Sequence, residues 1–578
     1  MSLSAALQIG RSALTASQLG LQVTGNNMAN AATPGYSRQV AYLEPIRGVG
    51  SGVSGSVGRG VGVSDIRRQV DQALEARLRG GLADEAKSSQ QYQTLSQLES
   101  ILGELGDNDI SSELSSFFNA WSERANQTQS SSVVIQQGDR LAQHIRRVRD
   151  DFVNQRALMD RQLGALSDSA DSLLNSISDL NQAISDAEVG GTEASALRDQ
   201  RDSYLSELGK LIDINVVELP GGMTDVLVGS TPIILNGQSR GLELKRETNG
   251  TETRVSISIR ANGQELPGTS GQIGALLEDR DTAVDATLDS LDDLAANLIF
   301  EINKVHSTGS NLKGFTSSTG ELSLAAADRT RALNDPANTT LAGLPFAARN
   351  GGFEIQVKQL SSNTTRTVRI DVNLDGITTA GAQGFGDDTS PEDIRAALAA
   401  IPGLSATFTP EGKLDIRAQA GFEFSFANDT SGALAVLGVN SYFSGTGAGT
   451  IAVRQELAAD PSRLAVGRTV NGTFVENGSA MEIVGLQART IDNLGGRTFQ
   501  AAWGDTSTSV GSRTAAAGTA ADAAGMVRAG LEAQRAAVSG VSIDEESLNL
   551  LSYQRQYQGA ARLISVTDQM FQTLIQLV

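Results

Sequence analysis

Apolar and small residues recur at alternating spacings of three and four at both ends of the chain. At the start they are Leu3, Leu7, Gly10, Leu14, Ser17, Leu21, Thr24 and Met28. At the end they are Leu550, Tyr553, Tyr557, Ala560, Ile564, Thr567, Phe571, Leu574 and Val578. Such spacing lines each set along one side of a helix and forms the narrow seam of a coiled coil. The last helix has a start signal in Ser539-Gly540-Val541-Ser542-Ile543-Asp544-Glu545-Glu546, where three carboxylates favour the positive end of the helix dipole. Matching seams at the two ends suggest one antiparallel two-helix unit with everything else inserted into it. Two separate amphipathic helices, each packed on its own core, are the plainer alternative.

Between the ends the period changes several times. Asn26-Asn27-Met28-Ala29-Asn30 and then Pro34-Gly35-Tyr36 break the first helix and turn the chain. A glycine-heavy connector follows, Arg47 to Gly62. From Asp65 to about Ile212 the pattern reads as long helical rods, with one seam at Leu141, Ile145, Val148 and Phe152. A second seam follows at Leu166, Ala170, Leu173, Ile177, Leu180 and Ile184. Between Asp213 and Gly268 the period falls to two, predicting short strands at Val226–Val228, Ile233–Leu235 and Val255–Ile259, with Asn249-Gly250 as a hairpin turn. Helix returns from Gly271 to about Val305. A β-rich stretch spans Asn311 to Thr450, with one helix opening at Ser390-Pro391. From Ile451 the chain reads as helical again, with an Ala-rich helix over Phe499 to Val538.

The expected fold is mainly α with β-rich insertions, an α+β class. Its parts nest: residues 1–64 with 539–578 as a terminal helical domain, then 65–310 with 451–538 as a trunk. The trunk carries a small β insert at 213–268, and residues 311–450 form a β-rich outer domain.

Composition narrows the chemistry. The 578 residues carry a net charge of −20, which disfavours nucleic acid and anionic membrane as partners. Aromatics make up only 4%, which suits long helices with thin seams. Cysteine is absent, so disulfides, thiol catalysis and thiolate metal sites are excluded. The two histidines, His144 and His306, are too few for a histidine metal cluster. His144 reads as an exposed helix face, and His306 as the close of an apolar helix. No secretory signal or membrane-length apolar run is read, which alone would place the chain in the cytosol.

Three local matches invite a chemical reading. Gly50-Ser51-Gly52-Val53-Ser54-Gly55 is formally G-x-G-x-x-G, but no strand–loop–helix unit surrounds it, so a connector is the better reading. Asp371-Val372-Asn373-Leu374-Asp375-Gly376 copies the opening of a calcium loop, yet its twelfth position is Ala382 in place of glutamate, which favours a turn. Asp371, Asp375, Asp387 and Asp388 allow an acid pair for hydrolysis, without a nucleophile motif beside them. A surface adhesin is a further alternative.

Asn26-Asn27-Met28-Ala29-Asn30 with Thr33-Pro34-Gly35-Tyr36-Ser37-Arg38-Gln39 resembles the N-terminal signature of bacterial flagellar rod–hook axial proteins. Ser539 to Glu546, with Tyr553-Gln554-Arg555-Gln556-Tyr557-Gln558, resembles the matching C-terminal end. The serine and arginine after Gly35-Tyr36 resemble the members at the hook–filament junction, as do Leu434 to Asn440 and Val453 to Pro461. The resemblance implies a non-enzymatic structural subunit without cofactor or metal. It would leave the cell through the flagellar type III channel and polymerise through its terminal helices outside the cell. The implied partners are further copies of itself, the hook protein, a second junction protein, and an export chaperone at the C-terminal helix. Other axial subunits, of hook or rod type, are the family alternative. The residues expected at the assembly interface are Leu3, Leu7, Leu14 and Leu21 at one end, and Leu550, Tyr553, Tyr557, Ile564, Phe571 and Leu574 at the other. Asn26, Asn27, Asn30, Pro34, Gly35 and Tyr36 would shape the turn leaving the inner helix.

Overall fold

The computed structural model describes residues 3–46, 58–103, 109–249, 252–267, 270–470 and 473–576. The Gly50–Gly55 match, Gly250 of the expected hairpin turn and Val578 of the last seam lie outside these. The protein is 55% helix and 18% strand, the mainly α architecture with β insertions that the pattern predicts. It divides into two compact units, Met1–Thr94 with Leu158–Arg280 and Thr514–Val578, and Leu95–Ala157 with Asp281–Arg513.

The first unit holds α1 (Leu3–Ala29), the hairpin of β1 (Gln39–Pro45) and β2 (Val61–Arg68), and α14 (Ile543–Gln576). It also takes in the first part of α2 (Gln72–Leu102), the later part of α4 (Ser131–Ala187), α5 (Ser195–Leu211) and α6 (Gly271–Asp279). The later part of α13 (Phe499–Ser539) completes its helices. In α13 glycine returns every seven residues, at Gly504, Gly511, Gly518 and Gly525. Of these, Gly518 and Gly525 lie in this unit and are notches for α2. A Cβ on Gly518 would stand 3.1 Å from the Tyr92 ring, and one on Gly525 3.4 Å from the Glu85 carboxylate. With Tyr92 at Gly518 and Glu85 at Gly525, the two helices run antiparallel.

The small sheet of this unit has the order β3 (Asn215–Glu218), β4 (Thr224–Val228), β5 (Thr231–Leu235), β6 (Gln238–Ser239). It is anchored on buried polar groups. Asn181 of α4 accepts from the Thr224 amide at 3.0 Å and donates to the Thr224 carbonyl at 2.9 Å. Arg201 of α5, also buried, donates to the Gly222 carbonyl and to Asn181. A hairpin of β7 (Leu242–Asn249) and β8 (Glu252–Ile259) follows.

The second unit is built around aromatic rings. Phe117 and Trp121 of α3 (Ile110–Ala125) meet Tyr442, Phe117 also meets Phe443, and Phe118, edge-on to Phe117, stacks on Phe499. Tyr442 is fully buried and donates its hydroxyl to the Val134 carbonyl at 2.8 Å. Asn303, on α7 (Ala286–Ser307), accepts from the amides of Tyr442 and Phe443, so an amide side chain holds the segment that carries the rings. Two three-stranded sheets complete the unit. One has the order β11 (Thr364–Val372), β10 (Gly351–Gln359), β14 (Phe422–Ala427). The other is β12 (Leu404–Phe408), β13 (Leu414–Ala418), β9 (Ser317–Thr319). Short helices α8 (Thr339–Ala342), α10 (Ala433–Val436) and α11 (Gln455–Ala459) lie among them. The helix expected at Ser390-Pro391 is α9 (Pro391–Ala399), closed by a capping box between Ser390 and Asp393.

Several readings need correction. Residues 61–68, in part read as helix, are strand, because β2 pairs with β1 across the connector. From Ala452 the chain is not at once helical. Hairpins of β15 (Phe443–Ser444) with β16 (Ala452–Val453), and of β17 (Arg468–Val470) with β18 (Thr473–Val475), precede α12 (Gly478–Leu486). A π-helical turn, Arg280–Asp285, interrupts the helix expected from Gly271. The buried seam of the later α4 runs through Leu174 and Asn181 in place of Leu173 and Leu180. His144 is half-buried; burial and then Arg147 lower its pKa, against Glu113 and Asp109.

Candidate assembly interface

The two seams read from the sequence meet. Gly10 of α1 lies against Ile564 and Gly20 against Tyr553, while Asn27 bonds to Glu546. Rising numbers on one helix match falling numbers on the other, so α1 and α14 form an antiparallel pair. The glycines set its closeness: a Cβ on Gly10 would stand 2.8 Å from Ile564 Cγ1, and one on Gly20 2.6 Å from the Tyr553 ring. Ser17, Thr24, Ala560 and Thr567 are buried in the same seam.

At its root the pair is closed by a polar knot. Asn27, 1% exposed, donates its amide to the Gln39 carbonyl at 2.9 Å and to Glu546 Oε2 at 3.1 Å. Its carbonyl accepts from the Tyr36 hydroxyl at 2.8 Å and from the Gln39 amide at 3.0 Å. The Glu546 carboxylate, 2% exposed, is balanced by Arg38, whose Nε and Nη2 stand 2.9 and 2.8 Å from Oε1. A buried carboxylate needs such partners, since leaving it unpaired is strongly destabilising. Burial, then Asp199 and Glu546, push the Tyr36 hydroxyl up to about 12, so it stays a donor. The backbone joins in: the Ser37 amide donates to Asp199, and the Arg38 amide to the Ser539 carbonyl.

Asp199 links the knot to α5. Arg68 of β2 reaches Glu193, Asp199 and Asp202 at 3.0, 2.8 and 2.7 Å. Burial alone would lower its pKa, but Asp202 and Asp199 outweigh it and hold the guanidinium above its ordinary value.

The expected interface residues divide into three groups. Leu3, Leu14, Leu21, Leu550, Tyr553, Ile564 and Phe571 are half-buried along the pair, whereas Leu7, Tyr557 and Leu574 are exposed. Asn27 and Tyr36 lie in the knot; Asn26 donates to the Tyr36 hydroxyl, and Asn30 back to Asn26. Pro34 is exposed, and Gly35 takes a φ of +80° that favours glycine. Sequence reasoning missed the roles of Arg38, Gln39, Asp199 and Arg68, and read Glu546 only as a dipole partner. It also missed a second apolar strip on α14, Leu563, Val566 and Met570, each at least 41% exposed, which runs on to the expected Leu574. Its three-four-four spacing was there to be read.

The acidic residues of the β-rich part serve its turns. Asp371 pairs with Arg369, Asp388 accepts from the Gly376 amide, and Asp387 accepts from Thr379. Among the described residues no group of three or more His, Asp or Glu is placed to hold a metal ion, and no helix is long and apolar enough to cross a membrane.

Comparison with known proteins agrees with this geometry. The family model described as the flagellar hook-associated protein FlgK helical domain matches residues 95–321. The flagella basal body rod protein model matches 7–36, and the C-terminal model of the basal body rod FlgEFG proteins matches 533–577. These last two fall on α1 and its turn, and on α14 with the end of α13. Flagellar hook-associated protein 1 of Escherichia coli K12 is 22% identical, and the alignment covers 98% of each chain. The protein of the same name from Bacillus subtilis 168 is 25% identical, over 98% of this chain and 97% of its own. The solved structure of the flagellar hook junction protein FlgK from Burkholderia pseudomallei shares the fold, with a TM-score of 0.51 and 14% identity over 80% of this chain and 100% of that one. With the terminal models on the paired ends and the helical-domain model between them, the chain is similar over nearly its whole length to proteins named flagellar hook-associated protein 1.

Proposed function

We propose that the protein is a structural subunit of the extracellular bacterial flagellum, joining hook to filament. It leaves the cell through the flagellar type III system and polymerises through α1 and α14. Its neighbours are further copies, the hook protein on one side and a second junction protein on the other, with an export chaperone on α14 beforehand. Residues 1–64 with 539–578 would form the inner domain, 65–310 with 451–538 the trunk, and 311–450 the outer domain. No catalytic step is assigned to it.

One observation carries this reading. A single chain closes α14 on α1 along one seam and leaves the strip Leu563, Val566, Met570, Leu574 uncovered. An exposed apolar strip of this length on a helix is a contact in waiting. The test is Val566→Asp with Met570→Asp in the full chain. These side chains point away from the pair, so helix content should hold while incorporation into flagella is lost. Normal incorporation would refute the role of α14. Ile564→Asp, inside the seam, should block assembly by opening the pair itself.

A further inference from the structure

The last turns of α13 are lightly held. Past Ala517 no apolar side chain of this helix is buried among the described residues. Leu531, half-buried, lies against Gly81 of α2, where a Cβ would stand 3.1 Å from its Cδ1. Two ion pairs to α2 tie the stretch down, Arg528 with Glu85 at 2.5 Å and Arg535 with Glu75 at 2.6 Å. The chain then runs through Ser539 and Gly540 into α14.

Beside the second pair lies a cation with nothing to answer it. Glu75 and Arg79 are each 6% exposed. The Arg79 Nε is buried without a hydrogen-bond partner, and no carboxylate among the described residues forms an ion pair with this side chain. Burial lowers its pKa, with Asp202 and Glu75 opposing. Both acids are already engaged, Asp202 by Arg68 at 2.7 Å and Glu75 by Arg535. A buried charge without its partner is strongly destabilising, so this position favours any rearrangement that pairs it. The sequence offers one. Glu75 precedes Arg79 by four residues, the order and spacing in which an acid and a cation pair best on one helix.

We infer that Glu75 is a shared carboxylate: Arg535 holds it while the end of α13 lies on α2, and Arg79 takes it when that end lifts. The exchange keeps the Glu75 carboxylate paired in both positions and leaves a cation buried alone only in the closed one. Lifting the end of α13 then takes less free energy than breaking an ion pair outright. The junction of α13 with α14 becomes a latch that opens while α2 stays folded. Two plainer roles for Arg79 predict something else. A cation that only balanced Asp202, or a stem that only filled space against α5, would give α13 no reason to tighten when the charge is removed.

Arg79→Met keeps the stem and deletes the charge. In the full chain, hydrogen exchange over residues 528–540 should slow several-fold, because the open position loses its ion pair and the closed one loses its unpaired cation. Unchanged or faster exchange would overturn the inference. Arg79→Lys keeps a cation at the favoured spacing and should exchange as the parent chain does. Slowing as large as that of Arg79→Met would count against the inference in the same way. The exchange of partners is read in the Arg79→Lys chain with a water-soluble carbodiimide, which joins a carboxylate to an amine in contact with it. Mass spectrometry should find the link from Glu75 to the introduced amine several-fold more often when Arg535→Gln is added. An equal yield with Arg535 intact would mean that the two cations do not compete for Glu75, and the latch would be refuted.

Discussion

Around Tyr442 the facing residues are Phe117, Trp121, Phe443 and His306, whereas between α1 and α14 the buried ones are Gly10, Ser17, Gly20, Thr24, Ala560 and Thr567, with Ile564 and Tyr553 half-buried against the two glycines. Each ring in the first set buries on the order of 150–250 Å², at roughly 25 cal/mol per Å² of apolar surface. The small residues of the second set bring two backbones close, and the larger side chains along the pair, Leu14, Leu21, Tyr553, Ile564 and Phe571, stay only half-buried. Directional bonds at one end of the pair must then supply what area does not, and Asn27, Tyr36, Arg38 and Glu546 do so. The comparison teaches that the second unit carries its own stability, while the paired ends depend on one polar knot and on whatever later covers α14.

The largest expected effect is in the aromatic core. Phe117→Ala should cost the second unit about 3–5 kcal/mol, as ring truncations in packed cores do. Both tryptophans, Trp121 and Trp503, are buried there, so their fluorescence during denaturant unfolding reads that unit alone. Hydrogen exchange along α14 should change little. If α14 loosened by as much, the two regions would be one cooperative body and the contrast would fail.

The second effect depends on pH. His306 is fully buried; its Nε2 accepts from the Ala465 amide at 3.1 Å and its Nδ1 donates to the Asn440 carbonyl at 2.7 Å. Both nitrogens are engaged by the neutral ring. Burial is the main cause that lowers its pKa to about 4, with the nearby Arg454 cation also lowering it and the bond to Asn440 opposing. The unfolded chain takes up that proton near pH 6.5, so the contribution is full above that value and declines as pH falls toward about 4. At about 1.4 kcal/mol per pH unit, the second unit should lose about 3 kcal/mol across this window. Tryptophan-detected unfolding between pH 7 and pH 4 reads the loss. His306→Gln should flatten the slope even if it lowers the plateau, and an unchanged slope would point to another group.

The two regions were also unequally legible. The pairing of the ends could be read because a three-four spacing is local and both helices carry it. Strands β4, β5 and β8 announce themselves by their period of two for the same reason. β2 did not, since Val61–Arg68 becomes strand only by pairing with Gln39–Pro45 across an intervening connector. The knot was half-visible: Asn27 and Tyr36 stood out within a motif, but Glu546 lies more than five hundred positions from Asn27, and only the folded chain makes them partners. Asn181 hid inside an apolar seam as a polar residue whose partners, Thr224 and Gly237, come from a distant hairpin. The heptad glycines of α13 were legible and went unread beside its many alanines.

Asn27→Ala would sharpen the contrast from the other side. It removes an amide that serves Gln39, Tyr36 and Glu546 together, and leaves the Gln39 amide and one side of a buried carboxylate unsatisfied. The expected cost is about 1–3 kcal/mol. It should appear as faster hydrogen exchange in the first turns of α14 and the last turns of α1, with tryptophan-detected unfolding unmoved. If exchange there stayed as slow as before, the seam alone would hold the pair.

The smallest effect has the opposite sign and tests what the glycines of α13 are for. Gly530 lies on an exposed stretch of the helix with nothing within 4 Å of a would-be Cβ, whereas Gly518 faces the Tyr92 ring. Alanine in a helix interior is favoured over glycine by about 0.5–1 kcal/mol, because the unfolded chain loses less freedom on folding. Gly530→Ala should gain all of that. Gly518→Ala carries the same backbone gain but brings its Cβ to 3.1 Å from Tyr92, so the ring must move by a few tenths of an ångström, and the net change should be near zero or unfavourable. Exchange rates in the later half of α13 distinguish the two. Equal protection in both variants would mean that the seven-residue glycine spacing is incidental, and that α2 and α13 keep their distance for some other reason than the notches.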